Sequence, residues 1–303
     1  MKKLLACLAM LAFGVSAWAQ TKTVPVYWPF SISSIQVTGV RAMLENTNSQ
    51  QKDINFILDH KPGAGSTVAV RHIVSTPNLE LLAVSSSYFM RPVFYPDTSH
   101  SADDLKPVAI IASHMPIMVF SKKYKNLTEL KKQKQLSIGV NNGSVTQLVA
   151  LTLKKSLPDT DIVLVPYDST NKSAMDVMAD SLDLAVGFTS DTDQWVKQGT
   201  IHVIGITGTR PIKGYPTFAS QGLKGFDDLF VEYWIMANQR LTDQQTQELN
   251  LLFRKSAAAG ESFWAQDSAT TVGVENYTVQ QVAQRFQQQK AYWRDTKIKL
   301  LGN

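Results

Sequence analysis

The chain has 303 residues, a formal charge of +5, 44% apolar and 18% charged residues, and a single cysteine, Cys7. That length admits one large domain or two of ordinary size, and two is the reading the patterning below favours. The mild positive charge attracts anions without being a nucleic-acid footprint, and a lone cysteine excludes an internal disulfide framework.

Lys2 and Lys3 precede an apolar run from Leu4 to Val15 and then Ser16-Ala17-Trp18-Ala19. This is the form of a secretory signal peptide, with Ala17 and Ala19 at the −3 and −1 positions, so cleavage is expected after Ala19 and the periplasm is the expected compartment. Too few residues precede Cys7 to form the apolar core of a lipoprotein leader. Loss of Lys2, Lys3 and Cys7 leaves a chain of charge +3 with no thiol, whose stability must come from packing. No later segment is apolar over the roughly eighteen residues that a spanning helix needs.

Past the leader, short β-rich runs alternate with helical patterns, which predicts parallel α/β layers. Val24–Phe30, Ile54–Leu58 and Leu81–Ser85 read as the first strands, and Val108–Phe120 is long enough to cross from one lobe to another. A second series follows at Leu136–Val140, Ile162–Val165, Leu182–Val186 and His202–Ile206, with Val231–Ala237 as the return crossing. Thr242–Gln245 and Thr278–Gln281 have capping-box spacing and open two final helices, expected to pack on the first lobe. The fold class is therefore α/β with two lobes, each a mostly parallel sheet flanked by helices, joined by two crossings able to act as a hinge. Residues 20–120 plus 236–303 form the first lobe and 121–235 the second, after a leader at 1–19. A single doubly wound sheet is the alternative.

The candidate chemistry lies where strands meet helices. Ser31-Ile32-Ser33-Ser34 precedes a helix with Val37, Val40 and Leu44 at helical spacing. Gly63-Ala64-Gly65-Ser66-Thr67 precedes another, and Asn142-Gly143-Ser144 precedes a third, with Ser144 and Gln147 at capping-box spacing. Small residues, free backbone N–H groups and a hydroxyl at a helix start suit an anion, although ordinary capping uses the same residues. One helix end contributes roughly 0.3–1 kcal/mol when exposed and up to ~2 when partly buried. Micromolar binding needs about 8 kcal/mol, so closure and direct hydrogen bonds must supply the rest.

The run Phe30-x-x-Ser33-Ser34-x-x-Val37-x-x-Val40-Arg41 resembles the F-x-x-G-G-x-x-D-x-x-A-R opening of the Bug, or TctC-like, binding proteins of tripartite tricarboxylate transporters. Asp59–Gly65 is similar to that family's E-N-K-P-G-A-G, Asp104–Ala109 to D-x-x-P-V-A, Gly143-Ser144-x-x-Gln147 to G-S-x-x-H, and Val165-Pro166-Tyr167 to V-P-Y. The matches keep their order along the whole chain after the leader. The resemblance implies a Venus-flytrap fold of the periplasmic-binding-protein type that binds organic acids, and the ligand expected is a small organic acid or amino acid, with no cofactor, no metal and no catalysis. It implies membrane permease subunits as partners, or a sensor if the closed lobes signal instead, and a monomer is expected. Family contacts carry over to Ser33, Ser34, Gly65, Ser66, Gly143, Ser144 and Thr146. The chain departs from the pattern at Ser33, Ser34, Ser66, Val37 and Gln147, so ligand identity does not carry over.

Tyr167, in a loop with Asp168, and Asp191, near Asp193, are further ligand candidates, the latter as partner for an ammonium group. Helix capping by Ser190 and Asp193 is the plainer reading. Tyr88 and Phe89 could wall a pocket or pack in the core, and the lysines from Lys122 to Lys134 read as a solvated face. The requirements of a hydrolase are mostly missing. The five histidines show no metal-ligand spacing, and no G-x-S-x-G elbow occurs. Ser169-x-x-Lys172 matches S-x-x-K without its companion motifs.

Overall fold

A computed structural model describes residues 21–32, 36–95, 97–212, 214–267 and 276–301. The leader reading, the cleavage site after Ala19, and the positions Ser33 and Ser34 lie outside the described residues.

The strands are β1 (Lys22–Trp28), β2 (Ile54–His60), β3 (Leu81–Ser85), β4 (Leu105–Pro116), β5 (Met118–Ser121), β6 (Gln135–Asn141), β7 (Asp161–Tyr167), β8 (Leu184–Gly187), β9 (His202–Ile206) and β10 (Phe230–Asn238). The helices are α1 (Gln36–Gln50), α2 (Thr67–Ser75), α3 (Ser87–Phe94), α4 (Leu127–Leu130), α5 (Val145–Ser156), α6 (Thr170–Met178), α7 (Thr189–Lys197), α8 (Asp243–Asp267) and α9 (Val279–Leu301). Two separate sheets of five strands form, in the orders β2-β1-β3-β10-β4 and β7-β6-β8-β5-β9, which makes the α/β two-lobed reading correct and excludes one continuous sheet.

Within the first sheet β1 runs parallel to β2 and β3, while β10 is antiparallel to β3 and β4. The second sheet repeats the design: β6 is parallel to β7 and β8, and β5 is antiparallel to β8 and β9. In each sheet the antiparallel strand is the one that arrives from the other lobe. The long run Val108–Phe120 is two strands, because β4 ends at Pro116 and β5 opens the other sheet after Ile117. Val231–Ala237 lies inside β10, which pairs with β4 from Phe230 to Asn238 and with β3 from Tyr233 to Ala237, so the return between sheets falls before Phe230. The passages are tied together at one point. Ile117 N–H donates to Thr207 Oγ1, and Thr207 N–H donates to the Ile117 carbonyl, both at 2.9 Å.

α1 buries Val37, Val40, Met43, Leu44 and Thr47 on one face, the i, i+3, i+4, i+7 stripe visible in its sequence. That face and β4 receive α8, whose Phe253 meets Phe56 at 5.0 Å, while α9 lays Phe286 against Phe89 at 5.2 Å. Both C-terminal helices thus pack on the first lobe. Their capping boxes form as spaced: Thr242 N–H bonds Gln245 Oε1 at 3.0 Å and Gln245 N–H bonds Thr242 Oγ1 at 3.2 Å, and Thr278 and Gln281 repeat the exchange at 2.8 and 3.4 Å. Tyr88 and Phe89 are fully buried core residues, not pocket walls.

Candidate functional site

Ligands of open α/β sheets bind beyond the carboxyl ends of the strands, where the chain turns into helices. Here those ends face each other across the seam between the lobes and enclose a cavity of about 90 Å³.

Aromatic rings from the first lobe form one wall. Trp28, at the end of β1, stacks on Tyr233 of β10 at 5.5 Å and meets Phe30 edge-on at 5.1 Å, with its Nε1 donating to the Ser31 carbonyl. Helix starts supply most of the rest. Ser31 and Gln36 precede and open α1, Gly65 precedes α2, Ser85 and Ser87 flank the start of α3, Gly143–Thr146 open α5, and Ser169–Asn171 open α6. Each start presents backbone N–H groups that lack an intrahelical acceptor, together with the positive end of the peptide dipoles. Their convergence on one cavity is what a single capping motif cannot explain.

The loop before α2 is conformationally costly. Gly63, Ala64, Gly65 and Ser66 all have positive φ, at 133°, 45°, 56° and 82°. For Ala64 and Ser66 the left-handed conformation costs about 1–2 kcal/mol each. Ser66 is fully buried and its hydroxyl has no hydrogen-bond partner, so it does not cap α2. The α5 turn is different. Ser144 Oγ accepts from Thr146 N–H at 3.2 Å and donates to the Asn141 carbonyl at 2.8 Å. Gln147 does not complete the expected capping box: its Oε1 accepts from Gly143 N–H at 2.8 Å and from the Tyr95 hydroxyl across the seam. Burial holds the Tyr95 phenol above its ordinary pKa, against the lowering influence of Gly143 N–H and Arg91.

Gly65, Gly143, Ser144 and Thr146 therefore line one cavity, as neighbours from two lobes. Ser66 sits immediately behind Gly65 without lining it. Tyr167 points elsewhere: its hydroxyl donates to Asp176 at 2.5 Å, and burial, then that bond, lifts its pKa to about 12. The side chain of Asp191 lies outside the described residues, and Asp193 pairs with Lys197 at 2.7 Å along α7. Ser169 and Lys172 are not a catalytic pair. Ser169 Oγ accepts from Lys172 N–H at the start of α6, and Lys172 Nζ pairs with exposed Asp168 at 2.8 Å. Among the described residues no three His, Cys, Asp or Glu side chains are grouped to hold a metal ion, and no helix is long and apolar enough to cross a membrane. Sequence reasoning missed Ser85, Ser87, Thr170 and Asn171. The signal was present in Ser85-Ser86-Ser87 directly after β3 and in Ser169 as an N-cap after β7.

The family model of the tripartite tricarboxylate transporter family receptor matches residues 40–302. The chain belongs to this family. Among solved structures, this receptor-family chain is similar to the periplasmic binding protein BugD, with a TM-score of 0.79 at 17% identity over 92% of this chain and 97% of that one. It is equally similar to MatC of Rhodopseudomonas palustris, solved with bound malate, with a TM-score of 0.79 at 18% identity over 91% and 99%. R. palustris Rpa4515, solved with adipate, gives 0.75 at 18% over 92% and 97%. A UPF0065 protein from the tcbD-tcbE intergenic region of Pseudomonas sp. (strain P51) is 21% identical over 221 residues, 68% of this chain and 66% of that protein, just under two thirds of its length. The two-lobed α/β fold of this chain is the one seen in the periplasmic binding protein BugD.

Proposed function

We propose that this receptor-family protein captures a small organic acid between its lobes and delivers it to the permease subunits of a tripartite tricarboxylate-type transporter. The observation that carries the reading is the convergence of the starts of α1, α2, α3, α5 and α6 on one cavity of about 90 Å³. Gly65, the α5 turn at Gly143, Ser144 and Thr146, and Ser33 and Ser34, which precede α1 in the sequence, are the proposed contacts. Secretion through a leader cleaved after Ala19 belongs to the same proposal, as does a lobe division near Ile117 and before Phe230, in place of residues 120 and 235.

Between a plain carboxylate and an amino acid, the cavity favours the carboxylate. Asp168 is the one carboxylate among the described lining residues, and its pairing with Lys172, which holds its pKa below the ordinary value, leaves little for an ammonium group. Malate in MatC and adipate in Rpa4515 set the size of ligand to try first. A thermal-shift screen of the secreted form against C3–C6 mono-, di- and hydroxy-acids tests this. A ligand that binds the native state raises the melting temperature, and an acid that does so without being consumed is the expected result. No shift with any acid, or turnover of an ester or peptide, would remove the reading. A sensing role would use the same capture step and would be told apart by co-purification with a receptor kinase instead of a permease.

A further inference from the structure

The seam between the lobes holds a cation that, among the described residues, has no ion-pair partner. Arg91, on α3, places its Nη1 in the space that side chains would need at two glycines, 2.4 Å from the position of a Cβ at Gly65 and 2.1 Å from that of a Cβ at Gly143. Gly65 lies in the same lobe as Arg91 and Gly143 in the other, so the guanidinium is pinched where the lobes meet. Its Nε is buried without a hydrogen-bond partner, and its plane is held 4.8 Å from the Tyr95 ring. Among the described residues, no Asp or Glu forms an ion pair with it. Arg91 does not itself line the cavity; it backs the two glycines that do.

Held between the lobes, this guanidinium loses part of its water, and no ion-paired carboxylate among the described residues replaces it, an unfavourable step on its own. An anion in the cavity that Gly65 and Gly143 line sits on the other side of the two glycines from this charge and attracts it. We infer that Arg91 is a specificity-determining residue that makes closure depend on ligand charge: the empty or neutrally filled protein is penalised in the closed form, and an organic anion lifts the penalty. The inference rests on the reading of the cavity as an organic-acid site. It also accounts for glycine at both positions, since a Cβ at either would displace the guanidinium from the seam.

The test compares the wild-type protein with Arg91→Met, which keeps the apolar stem, and Arg91→Lys, which keeps the charge. Calorimetric affinities for malate, adipate and their neutral diamides are measured together with the radius of gyration of the empty protein. Melting curves establish that each variant is folded. The acid-to-diamide affinity ratio is expected to fall at least about tenfold in Arg91→Met and to stay near the wild-type value in Arg91→Lys. The empty Arg91→Met protein is expected to be more compact than the empty wild type. A ratio in Arg91→Met within about threefold of wild type, or an unchanged radius of gyration, would overturn the inference while leaving acid capture intact. Failure of the wild-type protein to bind any of the acids would remove the function on which it rests.

Discussion

The hydroxyl of Tyr95, just past the end of α3, donates to Oε1 of Gln147 in the first turn of α5, so one hydrogen bond joins the two lobes directly beside the cavity. The same Oε1 holds Gly143 N–H, which fixes the turn that Arg91 presses against. Gln147 stands where the family pattern has histidine, and the structure gives the substitution a use as a neutral acceptor.

A bond made between the two lobes counts toward closure on a ligand, not toward the stability of either lobe. Tyr95→Phe is therefore expected to weaken acid binding about threefold to tenfold, the equivalent of about 0.5–1.5 kcal/mol for one net hydrogen bond. Calorimetry of the variant against the acid found in the screen checks it. Unchanged affinity would mean the bond is not made in the liganded state.

Glu232 is fully buried in β10, where its Oε1 accepts a hydrogen bond from Arg285 Nε of α9 at 2.9 Å and lies 2.8 Å from Nη2 in the same ion pair. Its backbone also exchanges hydrogen bonds with Ser86, at 2.9 Å, ahead of α3. Glu232 is fully buried whereas Arg285 keeps part of its side chain in water, so removing Arg285 strands the carboxylate, and Arg285→Met is expected to cost about 3–5 kcal/mol of stability by urea unfolding. The double variant Glu232→Leu with Arg285→Met is expected to recover most of that loss.

Ser66 holds φ at 82° with a buried, unpartnered hydroxyl, at the position where the family motif continues with glycine. Ser66→Gly is expected to raise stability by about 0.5–1 kcal/mol, the relief of left-handed strain less the added freedom of the unfolded chain. The urea midpoint should rise with no change in slope.

Asp183 links three strands of the second sheet. Its Oδ2 receives the N–H and hydroxyl of Ser137 at 2.9 and 2.8 Å, Lys123 pairs with Oδ1 at 3.0 Å, and its carbonyl accepts from Ser121. Burial acts to raise the carboxyl pKa, but the Ser137 bonds and Lys123 together outweigh it and hold the pKa below the ordinary 3.8. A depressed folded-state pKa gives stability that is present above the unfolded value and lost as pH falls through the folded one. Asp183→Asn is thus expected to be less stable than wild type near neutral pH, and the difference should shrink below about pH 4. Melting curves from pH 7 to pH 2.5 follow it.

The two lobes were legible because strand and helix periodicities alternate cleanly and each cap was written locally, as at Thr242–Gln245 and Thr278–Gln281. The break at Ile117 was not, since Val108–Phe120 is one apolar run and only the Thr207 clamp, distant in sequence, shows where it changes sheet. Gly143, Ser144 and Gly65 could be read as site candidates from small residues at helix starts. Arg91 and Tyr95 could not, because nothing in the run Ser87–Tyr95 signals that its far end meets Gly143 and Gln147 from the other lobe. Tyr167 misled for the opposite reason: a loop tyrosine looks available until Asp176, one helix away, takes its hydroxyl.

The central claim, that converging helix starts hold an organic anion between the lobes, is tested most directly by the tryptophan fluorescence of the secreted form titrated with the acid that stabilises it. Trp28 is in the cavity wall, and a saturable change with one site per chain is expected. Gly143→Ala, which sets a Cβ against Arg91 at positive φ, should abolish it while the variant remains folded. Saturable binding with full affinity in Gly143→Ala would place the ligand elsewhere and contradict the account.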